Sequence, residues 1–311
     1  MRCTSPRKVG FQADGKTICW SPKNYSKEFA EFQLPCGKCI ECRLEYARQW
    51  AVRCVHEAQM YDRNCFITLT YSDDHLKSNK LVYADFQKFM KKLRKLQQEP
   101  IGMFVTGEYG DKTKRPHWHA IIFNWSPNDA IPKYKNIRGD QVWDSKTLTD
   151  LWGKGIAEFG SVTFESAGYC ARYAAKKLSH GKDNEHEYQP ISKKSSKHAI
   201  GKKWLEQFWP DVFNYGRIIL RDGSESTIPR YYQKWFKENH PELYSEFVTK
   251  VRAASVQKAQ GISDEENRLY LKNLRDRILE KGMVSSPLTP NQIKRKITKE
   301  KFKLLQNNLK L

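Results

Sequence analysis

The sequence predicts an α+β fold: an antiparallel sheet with helices packed on one side. Three observations lead there. Short β-branched and aromatic runs have strand length, helical-period apolar stripes stand between them, and the order is strand, helix, strand, strand, strand, helix. Residues 1–55 read as Cys-rich and irregular, turning helical around ARQWAVRCVHEAQMY. NCFITLTY (Asn64–Tyr71) reads as a strand. Asp85 is placed to cap a helix whose Phe86, Phe89, Met90, Leu93 and Leu96 recur at helical spacing, and Pro100 closes it. Lys88, Lys91, Lys92, Arg94 and Lys95 make its other faces basic. MFVTGEY (Met103–Tyr109) and HWHAIIF (His117–Phe123) follow as an antiparallel pair, then a polar excursion with Pro127, Pro132 and Gly139. A short helix near Leu148–Trp152, a strand at Ile156–Phe164 and a helix from Ser166 through Leu178 complete the core. Gly181–Lys203 reads as a mobile loop, GRIILRDGSESTIP as a hairpin, and the chain from about Gln233 as charged helix. The closing IKRKITKEKFKLLQNNLKL has the basic composition of a segment that orders on binding.

Composition narrows the function. The chain has 55 Lys+Arg against 35 Asp+Glu, a net charge of +20, and 13% aromatic residues, which together point to a polyanion such as DNA or RNA. On charge alone a merely basic soluble protein remains open. No run approaches the ~20 apolar residues of a membrane span, and MRCTSPRKVG lacks the apolar segment of an export signal. Eight cysteines are too few for a disulfide scaffold, so reduced thiols are expected. Cys36, Cys39 and Cys42 in PCGKCIECR have the spacing of soft metal ligands. Structural Zn²⁺, with Cys3, Cys19, Cys54 or His56 as fourth ligand, and unliganded thiols are both open readings, and an iron–sulfur cluster lacks its usual fourth cysteine. Cys65 and Cys170 read as ordinary buried thiols.

The sharpest local signal is His117-Trp118-His119. Strand side chains alternate, so the two imidazoles share a face and can chelate one divalent cation. Glu108 ends the preceding strand, and an antiparallel return would bring its carboxylate beside them, a set suited to Mg²⁺ or Mn²⁺ bound to phosphate oxygens. Tyr169 and Tyr173 lie four apart on a helix, with Lys176 and Lys177 on or near the same face. Core packing is the ordinary use of such tyrosines. Beside a metal-bound phosphate, a cation-activated phenol becomes a competent nucleophile.

FITLTY, GEYG, RPHWHAIIF and ESAGYCARYAAKK, in that order, resemble the motifs of HUH (His-hydrophobe-His) rolling-circle replication initiators. With PCGKCIECR before them and IPRYY (Ile228–Tyr232) after, the chain is similar to the initiators of gokushovirus-type microviruses, small single-stranded DNA bacteriophages. The resemblance covers about Cys3 to Tyr232. It implies a five-stranded antiparallel HUH sheet in a catalytic domain of residues 61–232, between a Cys-rich segment 1–60 and a basic helical extension 233–311. It also implies a single-strand DNA endonuclease (nickase) and strand transferase. His117, His119 and Glu108 match the metal ligands, Tyr169 and Tyr173 the paired tyrosines, and Lys176, with Lys177 beside it, the active lysine. The implied partners are viral origin DNA and the host replication helicase and polymerase, in the bacterial cytoplasm. Lys193–Lys203 and the Asp85–Leu96 helix are candidates for contacts to the DNA backbone. A non-catalytic zinc-containing nucleic-acid-binding protein, and a plasmid or mobile-element relaxase or transposase, are the alternatives.

Overall fold

A computed structural model of the chain describes residues 3–15, 17–29, 31–76, 80–110, 114–176, 191–195, 199–282 and 288–307. The chain divides into two compact units, residues 1–45 with 253–311, and residues 46–252. In the first unit, β1 (Arg7–Phe11) pairs antiparallel with β2 (Ile18–Cys19) and β3 (Phe32–Leu34), so the segment expected to be irregular holds a small sheet. α1 (Ile40–Ala58) starts seven residues before the expected stretch, inside the cysteine motif, and runs on into the second unit.

The second unit is built on β4 (Asn64–Thr70), α2 (Tyr83–Leu96), β5 (Gly102–Tyr109), β6 (Pro116–Phe123), β7 (Ile131–Lys135), β8 (Gln141–Asp144), α3 (Lys146–Trp152) and β9 (Ala157–Gly160). There follow α4 (Phe164–Lys176), β10 (Ile191–Lys194), α5 (Lys202–Tyr215), β11 (Ile218–Ile219), β12 (Glu225–Ser226), α6 (Arg230–Asn239) and α7 (Pro241–Glu246). A π-helical stretch, Phe247–Arg252, ends the unit. α8 (Ala253–Lys281) and α9 (Pro290–Asn307) belong to the first unit, where Lys294 and Glu266 form an ion pair between them. Among the described residues no helix is long and apolar enough to cross a membrane.

The main sheet is antiparallel, in the order β10-β5-β6-β4-β9-β8-β7. It has seven strands, not five. The additional strands lie at its edges. β7 falls in the polar excursion, carries Pro132 beside a register shift, and is exposed along its length. Proline survives in a strand where no neighbour needs its missing N–H, so the residue that argues against a central strand is compatible with this edge. β10, the Lys-rich ISKK, lies within the expected loop and covers the opposite edge against β5. The predicted hairpin forms but stands apart, as β11 and β12.

Helices pack on both faces of the sheet rather than one. Trp118, Ala120 and Ile122 of β6 meet Phe86, Phe89, Met90 and Leu93 of α2 and Leu148, Leu151 and Trp152 of α3. On the opposite face Phe104, Ile121 and Phe123 meet Trp50, Ala51 and Cys54 of α1 and Ala167, Cys170 and Ala171 of α4. Each such fully buried large side chain contributes roughly 1.5–3 kcal/mol. Cys65 and Cys170 are buried thiols, as expected. A third apolar cluster joins α5, α6 and Val52. There Tyr232 of the IPRYY motif meets His56, the tyrosine hydroxyl 3.0 Å from Nδ1, with Trp204 stacked on the imidazole.

Two capping expectations change. Asp85 lies in the first turn of α2, after the N-cap Val82. Its carboxylate instead accepts from the Tyr71 hydroxyl, which in turn accepts from the Trp118 indole N–H. At α4 the cap is Thr163, whose hydroxyl accepts from Ser166 N–H while Ser166 Oγ accepts from Thr163 N–H. That reciprocal exchange satisfies two otherwise orphaned helix donors.

Candidate active site

Register places the first three groups. β5 and β6 pair Glu108 with His117 and Thr106 with His119, and β4 pairs Thr68 with His119. Directly paired residues share a face, so Glu108, His117 and His119 all project toward the α1 and α4 side, while Trp118 projects into the α2 core. Gly107 makes room for that indole: a Cβ there would lie 2.6 Å from the Trp118 ring.

His117 Nε2 and His119 Nε2 each stand 2.9 Å from Glu108 Oε1. Two ligands at about 2.1 Å in adjacent octahedral positions are about 3 Å apart, so these separations fit a Mg²⁺- or Mn²⁺-sized cation. Glu108 is only 4% exposed and its Oε2 has no hydrogen-bond partner among the described residues, an orphan that a cation would satisfy. Burial opposes ionisation of Glu108, but hydrogen bonds from His117 and then His119 outweigh it and hold the carboxyl at about 2. Burial also pushes His119 down, against the pull of Glu108, so its neutral, ligating form is favoured.

The other ring nitrogens are tied down. His117 Nδ1 lies 3.1 Å from the Arg115 carbonyl oxygen, which can only accept. Nδ1 therefore carries the proton and neutral His117 presents the Nε2 lone pair toward Glu108. His119 Nδ1 lies 3.1 Å from Thr68 Oγ1, a hydroxyl able to accept the same proton. Phe66 stacks on the His119 ring at 5.7 Å.

Tyr169 comes from α4, fifty residues beyond His119. Its hydroxyl lies 3.0 Å from Glu108 Oε1 and 3.4 Å from His119 Nε2, with the ring edge-on to His119. Tyr173 and Lys176 lie on α4 after it, Tyr173 one turn along, and Lys177 falls outside the described residues. Thr68 is the site neighbour the sequence reading passed over, although the polar Thr68 and Thr70 alternate with Ile67, Leu69 and Tyr71 along β4. The arrangement places a phenol at a carboxylate and two imidazoles that can hold a cation, a set able to activate and transfer a phosphodiester.

A second set gathers Cys3 with Cys36, Cys39 and Cys42, their sulfurs all within 4.8 Å of one another. Of the other candidates for fourth ligand, Cys19 lies 3.4 Å from the Ser21 carbonyl, and Cys54 and His56 are packed in the apolar clusters of the second unit.

Comparison with known proteins gives a consistent family. Residues 64–178 match the model of the Replication-associated protein ORF2 family. The whole chain is 49% identical over 319 aligned positions to Replication-associated protein VP4 of Bdellovibrio phage phiMH2K, covering 100% of both. Replication-associated protein ORF2 of Spiroplasma virus 4 is 32% identical over 81% of this chain and 86% of its own. Replication-associated protein ORF4 of Chlamydia phage 1 is 33% identical over 67% of this chain and 54% of its own. No solved structure matches.

Proposed function

This chain belongs to the replication-associated proteins of gokushovirus-type microviruses, and on that premise we propose that it starts rolling-circle replication by cutting viral origin DNA with Tyr169. The observation that carries the reading is the convergence of the Tyr169 hydroxyl, Glu108, His117 and His119 on one small volume. The match to HUH motifs supports it.

In this mechanism Glu108 and the two histidines hold the catalytic cation. Bound Mg²⁺ or Mn²⁺ supplies positive charge to the non-bridging oxygens of the scissile phosphate. Tyr169 donates its hydroxyl proton toward Glu108 Oε1 as its oxygen approaches phosphorus. A Tyr–O–P bond forms, the P–O3′ bond breaks, and the departing oxygen takes up a proton to become a free 3′-hydroxyl. That end primes a host polymerase, with a host helicase opening the duplex ahead. Because the phosphotyrosyl bond conserves the energy of the phosphodiester, a returning 3′-hydroxyl can displace the tyrosine and close the strand without a nucleotide cofactor. Tyr173, one turn along α4, serves as the second nucleophile, and Lys176 or Lys177 stabilises the leaving charge. The basic face of α2 and the lysines of β10 contact the DNA backbone. The host cytoplasm is the expected place of action.

The test is a covalent one. The full chain, a labelled single-stranded origin oligonucleotide and Mg²⁺ or Mn²⁺ should yield a protein–DNA adduct that survives denaturation. Tyr169→Phe should remove most of it, and Tyr169→Phe with Tyr173→Phe all of it. An adduct undiminished in the double variant would place the nucleophile elsewhere.

A further inference from the structure

We propose that Cys3, Cys36, Cys39 and Cys42 form a closed tetrahedral Zn²⁺ site, structural rather than catalytic, that fastens the N-terminal segment to the first turn of α1. The four residues come from three places: the chain before β1, the β3–α1 turn, and α1 itself. Their sulfurs lie within 4.8 Å of one another, and Cys3 Sγ is 3.7 Å from Cys39 Sγ. Sulfurs held at about 2.3 Å around a tetrahedral ion stand about 3.8 Å apart, so the cage already has the size of a zinc site.

The backbone supports the same ligands. Cys36 N–H points at Cys3 Sγ and Cys39 N–H at Cys36 Sγ, both at 3.3 Å. N–H groups aimed at sulfur stabilise thiolate, the ligating form. Gly37 sits between them at φ +72°, a left-handed turn that an L side chain would strain. The first turn of α1 begins directly after Cys39, and its dipole favours negative sulfur at this end. Nearby, the Thr4 hydroxyl donates to the buried Glu41 carboxylate at 3.0 Å, holding Cys3 in register with α1.

An all-sulfur tetrahedral set selects Zn²⁺ over the oxygen-preferring Mg²⁺ and Mn²⁺, and leaves no open position for substrate. On binding, four S–H protons leave to solvent as four Zn–S bonds form. The site is therefore distinct in chemistry from the Glu108, His117, His119 set.

The experiment uses the full chain, purified reduced and dialysed, with metal content read by mass spectrometry. About one zinc per chain is expected, retained against a moderate chelator. Reloading with Co²⁺ should give the thiolate charge-transfer and intense visible bands of a tetrahedral sulfur site. Cys3→Ser should lose the zinc to the same chelator, while Cys65→Ser and Glu108→Gln keep it. Should Cys3→Ser fail to fold, stoichiometric modification of the native chain with a thiol reagent should release zinc as four thiols react. The proposal is overturned if the native reduced chain neither carries nor takes up zinc, if Cys3→Ser retains it undiminished, or if Co²⁺ shows no thiolate bands. Each readout is independent of DNA cutting, so it stands or falls apart from the nicking assay.

Discussion

Replacing Thr68 by Val removes one hydroxyl from the site while keeping the β-branched shape that a strand favours. His119 is 7% exposed and its Nδ1 faces Thr68 Oγ1 at 3.1 Å, so the variant leaves a buried ring nitrogen without that partner. Leaving such a group unsatisfied costs about 1–3 kcal/mol, which converts to roughly 10- to 100-fold in cation affinity at 1.4 kcal/mol per tenfold. His117 provides the contrast, because its Nδ1 is held by the Arg115 backbone carbonyl, which no side-chain substitution deletes. The assay is a Mn²⁺ titration of adduct formation, with direct Mn²⁺ binding followed by the loss of the free-ion paramagnetic signal. In Thr68→Val the midpoint should move up by on the order of 10- to 100-fold, with adduct yield at saturating Mn²⁺ close to that of the parent. An unchanged midpoint would refute the idea that Thr68 sets the tautomer of His119. A yield lost at every Mn²⁺ concentration would refute the idea that it acts through the cation.

Leu93 and Leu96 test the register of α2: Leu93 is fully buried and Leu96 is 62% exposed. In urea unfolding Leu93→Ala should cost about 2–5 kcal/mol and Leu96→Ala less than about 0.5 kcal/mol, and comparable losses would contradict the packing. His56 tests a pH dependence, since burial pushes its pKa down to about 3. The unfolded chain takes up that proton near the ordinary value of about 6.5, so stability is complete above it and falls by up to about 1.4 kcal/mol per pH unit as pH drops toward the folded value. Between about pH 6.5 and pH 5 that amounts to about 2 kcal/mol, above the window in which the depressed carboxyl of Glu108 adds its own loss of the same sign. His56→Gln should flatten this slope in urea unfolding; equal slopes in the two proteins would show that another group titrates.

Several features could be read without the fold. The pleat has a period of two, so His117 and His119 share a face wherever their strand lies. The stripe of Phe86, Phe89, Met90 and Leu93 specified a helix, though Leu96 ran past its buried turn into solvent. One signal was present and passed over. MFVTGEY and HWHAIIF are almost unbroken apolar runs, the mark of strands covered on both faces, and α1 with α4 and α2 with α3 do cover both. The edge strands left weaker traces, because a strand with one bonded side tolerates the proline of β7 and the lysines of β10.

What the sequence determined by itself was the chemistry on offer and its short-range geometry: paired imidazoles, paired tyrosines on one helix, three cysteines at metal-binding spacing, and a basic surface for a polyanion. Those follow from backbone periodicities of two and 3.6, which act over a few residues. Tertiary structure decided which of these groups meet. The β5–β6 register brings Glu108 to His117, α4 carries Tyr169 to Glu108 across 61 residues, and the N-terminal segment brings Cys3 to Cys39 across 36. Contacts at that separation close only when sheet pairing and core burial outweigh the entropy of the intervening chain, a balance made by the whole fold and by no local pattern.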